Sequence, residues 1–300
     1  SELERRIRNL EMDAAEAASL RYKMEKLGAE FQHAIDSIVR PGFHKIKTNL
    51  PKCVANSRDT MEKKICDEIS RQHVASKDEM IVYTTEHLLP FYAREEAENI
   101  QHYLSVELEA LDKEVNDYLN TAVLKFENDI QLQSSNFAVK AGEGVAKKAA
   151  GKLLNAGLLK YFAEFGGRGG AGAGIPNAAS HALKKLGDLF GHTFTRETHN
   201  ALKQFMSKIG LTSTKAIGAA ASVIIELVGI VFEYGTWKPM LISKTKKGLG
   251  QWKDETIELI QKDLDKLEEE NINTISSIAK TYADAFAVDE HPVGNIDELR

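Results

Sequence analysis

The residues best suited to approach a phosphate are glycines, which cluster at 166–174 and stand beside a lysine at Gly151 and Lys152. Glycine backbone amides cradle phosphate groups in nucleotide-binding loops. A Walker-type loop ending at Lys152 needs a glycine where Ala146 stands and a serine or threonine where Leu153 stands. No strand pattern precedes either cluster, so the sequence predicts turns here, with no nucleotide or other cofactor bound by this chain.

Side chains able to ligate a metal or attack a substrate are scattered. Glu98 and His102 are four residues apart, a spacing typical of a surface hydrogen bond on a helix. His192 and His199 are seven residues apart, with no second group of ligands to complete a metal shell. Cys53 is followed by no nearby His-Asn or His-Asp pair, and no serine stands in a GxSxG turn. We therefore expect no catalytic residue, no metal site and no enzymatic activity in this chain.

The cysteines and the first residues of the chain indicate the cellular compartment in which the protein is expected. Cys53 and Cys66 are the two cysteines, they form no CxxC pair, and the chain has no Asn-x-Ser/Thr sequon. These features favour a reducing compartment over a disulfide-built secreted module. The chain opens on Ser1 and shows no apolar segment of a signal peptide, which is typical of a processed protein or a fragment. We expect a cytoplasmic location.

Composition and charge change in the middle of the chain. Eighteen of the 21 glycines lie between Gly142 and Gly250. From Lys140 to Gly248 there are 16 basic and 6 acidic residues, a net charge of +10, so the remainder carries −15 of the total of −5. A basic, glycine-rich, apolar centre therefore stands between acidic arms. The predicted division is an outgoing arm over 1–139, a tip over 140–248, a returning arm over 249–287 and a tail over 288–300.

Apolar residues along both arms recur at intervals of three and four, the spacing of amphipathic helices. The outgoing arm is predicted to hold one helix from Ser1 to about Pro41, a second over about 52–89 and, after a break or kink at Pro90, a third. The apolar stripes of the third helix and of the returning arm are Leu104, Leu108, Leu111, Val115, Tyr118, Ala122 and Phe126, then Leu249, Trp252, Ile257, Ile260, Leu264, Leu267, Ile275, Ile278 and Tyr282. Such helices pack antiparallel. The predicted fold is all-α, an elongated antiparallel helical bundle (a stalk) with a glycine-rich apolar helical tip, and the heptad-like spacing also fits a coiled coil.

The most informative segment is the apolar run from Ala216 to Tyr234, 19 residues interrupted by Glu226 and Glu233. Its length is near the roughly 20 residues that span a bilayer core. An ionised carboxylate near the bilayer centre costs about 2.5–3.5 kcal/mol, which argues against a simple span. Both glutamates share one helical stripe with Ser222. The run is predicted to be a helix that lies either in the core of a bundle or in a membrane interface.

Apolar and basic side chains of the centre suggest contact with lipid. The apolar residues predicted to contact acyl chains are Leu158, Leu159, Phe162, Phe165, Ile224, Ile225, Leu227, Val228, Val231 and Phe232. The lysines predicted to meet anionic headgroups are Lys147, Lys148, Lys152, Lys184, Lys185, Lys244, Lys246 and Lys247. Lysine can place its ammonium group at headgroup level while its stem stays in the apolar layer. The alternative is a solvated helix face. Nucleic acid is not an expected partner, because no groove-entering or stacking element accompanies the lysines.

The order of these elements resembles the helical domain of bacterial dynamin-like proteins, with an outgoing arm over 3–130, an apolar centre over 153–234 and a returning arm over 237–285. The resemblance covers most of the chain and rests on architecture. It implies a stalk that hangs from a GTPase domain and a tip that contacts or inserts into lipid. The family's GTPase motifs, GxxxxGK followed by Ser or Thr and Asn or Thr followed by KxD, are absent from this sequence. GTP hydrolysis would then reside in a domain outside it.

The sequence therefore supports the hypothesis of a non-catalytic helical stalk with a membrane-interacting tip, part of a dynamin-like membrane-remodelling GTPase. The expected partners are anionic membrane lipids, a GTPase domain and homologous subunits in a homo- or hetero-oligomer, with peripheral association to a membrane in the cytoplasm. Two alternatives remain. One is an α-helical pore-forming toxin that conceals an apolar hairpin between long helices, and the other is a helical scaffold or interaction protein whose centre is core.

Overall fold

A computed structural model of the chain describes residues 18–19, 21–72, 76–141, 198, 200–209, 215–228, 230 and 236–286. Every regular element within these residues is a helix, which confirms the predicted all-α class. The predicted helix start at Ser1, most of the predicted tip and the predicted tail lie outside the described residues.

The helices are, in chain order, α1 (21–34), π1 (Ile35–Val39), α2 (Arg40–Arg71), α3 (Lys77–Tyr83), π2 (Thr84–Leu88), α4 (Leu89–Ala141), α5 (200–209), α6 (215–225) and α7 (Trp237–Phe286). The chain divides into two compact units. Unit 1 comprises 1–37, 115–196 and 272–300, and unit 2 comprises 38–114 and 197–271. The four-part division that composition suggests stays a prediction.

Pro41 and Pro90 do not interrupt the helices. Helical residues run without a break from 21 to 71 and from 77 to 141. The predicted helix end at Pro41, the predicted start of a second helix near residue 52 and a break at Pro90 are therefore wrong. The chain leaves the helical path at residue 72 and re-enters it after residue 76.

The two π-helical segments explain how the helices continue through Pro41 and Pro90, whereas Pro51 lies inside α2 with no such segment before it. Proline has no amide hydrogen, and its ring clashes with the carbonyl four residues earlier in an α-helix. That carbonyl belongs to Ser37 for the first proline and to Glu86 for the second, and these residues lie within π1 and π2. In a π turn the hydrogen bond spans five residues, as from the Leu89 amide to the Thr84 carbonyl. The wider turn accommodates the ring and the missing donor, so the chain stays helical.

A capping box fixes the start of α3. The Glu79 amide donates to the Ser76 hydroxyl at 3.3 Å, and the Ser76 amide donates to the Glu79 carboxylate at 2.9 Å. This exchange satisfies two amides that a helix start leaves without intrahelical partners. The same backbone hydrogen bond holds the pKa of the Glu79 carboxyl below its usual value.

Helices α2, the first part of α4 and the first part of α7 pack together in unit 2. Their exposed ion pairs show the register: Lys45–Glu107 (3.0 Å), Lys64–Glu95 (2.8 Å), Lys47–Glu268 (2.6 Å) and Lys246–Glu62 (3.0 Å). Rising residue numbers in α2 meet falling numbers in both partners, so α2 is antiparallel to α4 and to α7. Each helix buries one row, including Phe43, Ile46, Leu50, Val54, Met61, Ile65 and Ile69 in α2, Leu104, Leu108 and Leu111 in α4, and Leu241, Leu249, Trp252, Ile260 and Leu264 in α7.

Helix α6 packs against α7 at a point of very close backbone approach. Ala216 and Ala220 of α6 are fully buried. A Cβ atom added to Gly248 of α7 would lie 2.6 Å from the carbonyl oxygen of Ala220. Glycine at this position therefore lets the two backbones meet.

In unit 1, α1 runs antiparallel to the second part of α4. The Tyr118 hydroxyl donates to the Glu30 carboxylate, and the Lys23 ammonium donates to the Asp129 carbonyl at 2.6 Å. Tyr118 also places its ring 5.6 Å from that of His33. Tyr118 is half-buried, so the apolar row here differs from the predicted stripe. The buried positions are Val115, Leu119, Val123 and Phe126.

The Tyr118–Glu30 hydrogen bond is expected to make unit 1 sensitive to alkali. Partial burial, together with the bond to Glu30, raises the pKa of Tyr118 to about 12. The unfolded chain loses this proton near pH 10. The stabilisation that the Tyr118–Glu30 hydrogen bond gives to unit 1 is therefore complete below pH 10. It is lost as the pH rises through about 12. Urea denaturation of wild type and Tyr118→Phe at pH 8 and pH 11 should show a stability difference that shrinks at the higher pH. A difference that stays constant with pH would contradict this assignment.

Candidate functional site

Two lysines bring four helix ends together at one end of unit 2. Lys77, at the start of α3, donates to the carbonyls of Ile230 at 2.6 Å and Leu227 at 3.5 Å, just beyond α6. Lys238, at the start of α7, donates to the carbonyl of Gln72 at the end of α2. Both ammonium groups satisfy carbonyls near helix ends, where intrahelical partners run out.

Exposed apolar side chains are frequent in the helices that meet at these ends and in the residues just after α6. Among the described residues, ten large hydrophobic side chains are exposed, and six of them are Val82, Tyr83, Ile225, Val228, Ile230 and Met240. We call these six the apolar end of unit 2. Single exposed hydrophobics are common on any protein surface, but a group of them marks an interaction site. The apolar end is therefore the strongest candidate for a functional surface in the described part of the chain.

Helix α6 and the turn after it have an inner and an outer apolar face. Ile224 and Leu227 are 0% and 2% exposed, whereas Ile225 and Val228 are 52% and 53% exposed. All four are predicted lipid contacts, and the structure places only the second pair on the surface. The other predicted lipid contacts lie outside the described residues: Leu158, Leu159, Phe162, Phe165, Val231 and Phe232.

Helix α6 ends earlier than its sequence suggests. The amides of Leu227 and Val228 donate to Ile224 and Ile225 three residues back, at 3.0 and 2.8 Å. This tightened hydrogen bonding closes the last turn, and residues 226–228 form a turn after the helix. The predicted continuous helix to Tyr234 is therefore wrong. Within the stretches that the structure describes, no helix combines the length and the apolarity needed to cross a membrane.

Two of the three described headgroup lysines form ion pairs within the chain. Lys244 lies 2.5 Å from the carboxylate of Glu226, and Lys246 lies 3.0 Å from that of Glu62. The hydrogen bond from Lys244 holds the pKa of the Glu226 carboxyl below its usual value. Lys247 is exposed. The remaining predicted headgroup lysines lie outside the described residues: Lys147, Lys148, Lys152, Lys184 and Lys185.

The sequence patterns did not identify four residues of the apolar end, Val82, Tyr83, Ile230 and Met240. They also did not identify the two lysines that bind carbonyls there, Lys77 and Lys238. For the α3 residues a signal did exist, because four apolar residues in succession, 80–83, are more than one helix face can bury. Met80 and Ile81 fill the core, and the next two residues face outward. For the two lysines no signal existed, since their partners are backbone carbonyls far away in the sequence.

The described residues contain no group of three or more histidine, cysteine, aspartate or glutamate side chains placed to hold a metal ion. Burial, with a smaller effect of Glu96, raises the pKa of the Cys53 thiol, and burial with Glu62 nearby raises that of Cys66. Both thiols are therefore poorly ionised at neutral pH and weak nucleophiles.

Comparisons of the chain with models of protein families, with curated proteins and with solved structures find no match.

Proposed function

We propose that this chain is a non-catalytic helical stalk whose apolar end contacts the surface of anionic membranes. The observation that carries the proposal is that six of the ten exposed large apolar side chains of the described residues belong to α3, α6, α7 and the residues just after α6, whose ends meet here. Complete burial of one aliphatic or aromatic side chain is worth roughly 1.5–3 kcal/mol. Partial insertion of several such side chains is enough for reversible binding to a lipid interface.

The charge around the apolar end favours an anionic lipid surface as the partner. Residues 236–250, at the start of α7, contain four lysines and no acidic residue. Lys244 and Lys246 pair with Glu226 and Glu62, and Lys247 is exposed. At the start of α3, Asp78 lies 3.2 Å from Lys77, and Glu79 is engaged in the capping box. Each lysine near an anionic membrane surface contributes about 1 kcal/mol, so the lysines add to the apolar contact.

The wider setting of the proposal is a dynamin-like membrane-remodelling assembly. Long helices such as α4 and α7 suit a stalk, and the apolar end suits its lipid-contacting part. A GTPase domain outside this sequence would supply nucleotide hydrolysis, and homologous subunits would supply the oligomer. In this proposal the chain itself contributes membrane contact and mechanical linkage, at the cytoplasmic face of a membrane.

Charge placed on the outer face of α6 is expected to abolish membrane binding without unfolding the protein. The test is sedimentation of purified protein with vesicles of phosphatidylserine and phosphatidylcholine. Ile225→Asp with Val228→Asp should weaken binding at least tenfold, because two carboxylates would have to enter the interface. The helical circular-dichroism signal and the melting temperature should stay near those of wild type, since both positions are exposed.

Val106→Asp is the matched control, because Val106 is 54% exposed, like Val228, but lies in the middle of α4. This variant should bind vesicles as wild type does. Leu227→Asp tests the inner face and should lower the melting temperature, because it buries an unpaired carboxylate. Wild-type protein that never sediments with vesicles would refute the membrane proposal in favour of a scaffold. Release of a trapped dye from the vesicles would favour a pore-forming toxin.

A further inference from the structure

We infer that Lys77 is a positioning residue for membrane contact, because it holds the end of α6 and the residues that follow it, including Ile225, Val228 and Ile230, ready to enter a lipid interface. This inference rests on the proposed function. Lys77 belongs to α3 and reaches the turn across 150 or more residues of sequence. Nothing in the sequence around Lys77 suggests a role in lipid contact.

The geometry shows what Lys77 does for the turn. Its ammonium donates to the carbonyls of Leu227 and Ile230, which lie beyond the last residue of α6. The Leu227 carbonyl also accepts from the Ile230 amide at 3.3 Å, but carbonyls beyond the end of a helix otherwise have no intrahelical amide to accept from. Lys77 therefore supplies a donor from another element and ties the turn to the start of α3.

Membrane contact makes this donor important. Ile225, Val228 and Ile230 are 52%, 53% and 44% exposed, and the carbonyls that Lys77 binds belong to Ile230 itself and to Leu227, the residue before Val228. Entry of these side chains into lipid carries the nearby backbone toward a medium without water. An unpartnered carbonyl is most costly in such a medium, so a turn whose carbonyls are already bonded enters at lower cost. The lysine stem is itself apolar and can lie against the aliphatic side chains.

The stability of α3 does not explain a lysine at this position. The first turn of a helix favours acidic side chains, because the helix dipole is positive there. The capping box uses Ser76 and Glu79 and does not involve the Lys77 ammonium. Lys238 makes a parallel contact at the same end of unit 2, where it donates to the carbonyl of Gln72. Covering helix-end carbonyls with lysine is thus a repeated feature of this surface.

The experiment measures the turn and the membrane separately, in Lys77→Met, Lys77→Arg and the control Lys52→Met. Lys52 is an exposed lysine in the middle of α2, far along the helix from Gln72. Without vesicles, amide hydrogen exchange at Leu227, Val228 and Ile230 should be several-fold faster in Lys77→Met and near wild type in the other two. With phosphatidylserine vesicles, Lys77→Met should bind about tenfold more weakly, and Lys77→Arg should restore binding.

The outcomes separate this inference from the proposed function. Unchanged exchange in Lys77→Met would overturn the positioning role, whatever the vesicles show. Faster exchange with undiminished vesicle binding would overturn the link between positioning and membrane contact. Faster exchange in a protein whose wild type binds no vesicles would refute the proposed function while leaving the turn assignment intact. If Lys52→Met bound vesicles as weakly as Lys77→Met, the loss would follow from removing any one positive charge. That result would overturn the inference. Exchange is recorded well below the melting temperature of each variant, so it reports on folded protein.

Discussion

Replacing Trp252 with alanine is expected to lower the free energy of unfolding of unit 2 by about 3–5 kcal/mol. Trp252 is fully buried in the row of α7 that faces the core, between the buried residues Leu249 and Ile260. Removing the indole forfeits its apolar burial and leaves a cavity that close-packed neighbours fill only in part. Since whole domains are stable by roughly 5–15 kcal/mol, this single change removes a large share of the total. Urea denaturation followed by circular dichroism measures it.

Trp237 provides the matched control, because it is the other tryptophan of the chain and is only half-buried. Trp237→Ala should cost about 1 kcal/mol or less. Trp252→Phe should cost much less than Trp252→Ala. It keeps most of the apolar volume and removes an indole nitrogen that is buried without a hydrogen-bond partner. If the two alanine variants proved equally stable, the α7 row would not be the core of unit 2.

Alanine at two neighbouring glycines of α7 is expected to have opposite effects on stability. Gly248→Ala should destabilise unit 2 by about 1–3 kcal/mol, because its Cβ would lie 2.6 Å from the Ala220 carbonyl oxygen. The obstacle is backbone, so α6 as a whole must shift. At Gly250, by contrast, an added Cβ has nothing within 4 Å. Gly250→Ala should therefore stabilise the helix by about 0.5–1 kcal/mol.

Thermal unfolding of the two variants beside wild type tests the pair. The melting temperature should fall for Gly248→Ala and rise slightly for Gly250→Ala. A rise in both would show that ordinary helix propensity governs the two positions and that α6 does not press against α7. Because both substitutions are identical and two residues apart, differences in composition cannot account for a difference in sign.

The helical class was predictable because spacing of three and four is a direct consequence of helix geometry. The same spacing identified Leu104, Leu108, Leu111 and Val115 as core, and the structure buries them. It failed at finer detail, where it favoured Ile257 although Thr256 is the buried neighbour. Which of two adjacent residues faces the core depends on the exact rotation of α7. That rotation is set by packing partners rather than by the hydrophobicity of one residue.

The surface of α6 shows a second limit of sequence reasoning. Ile224, Ile225, Leu227 and Val228 are all aliphatic, so composition alone assigns them one role. The structure separates them into an inner and an outer pair because the close contact between Gly248 and Ala220 fixes which side of α6 meets α7. Such a contact joins residues distant in sequence, so no local sequence pattern predicts it.

The two π-helical segments have a consequence for the evolutionary record of this chain. Each π segment holds one residue more than an α-helical path of the same rise, and each precedes a proline by two residues. The extra residue and the proline are therefore expected to be gained or lost together. In a relative that has lost the proline at 41, an alignment is expected to show a single-residue gap within 35–39, and likewise within 84–88 where the proline at 90 is lost.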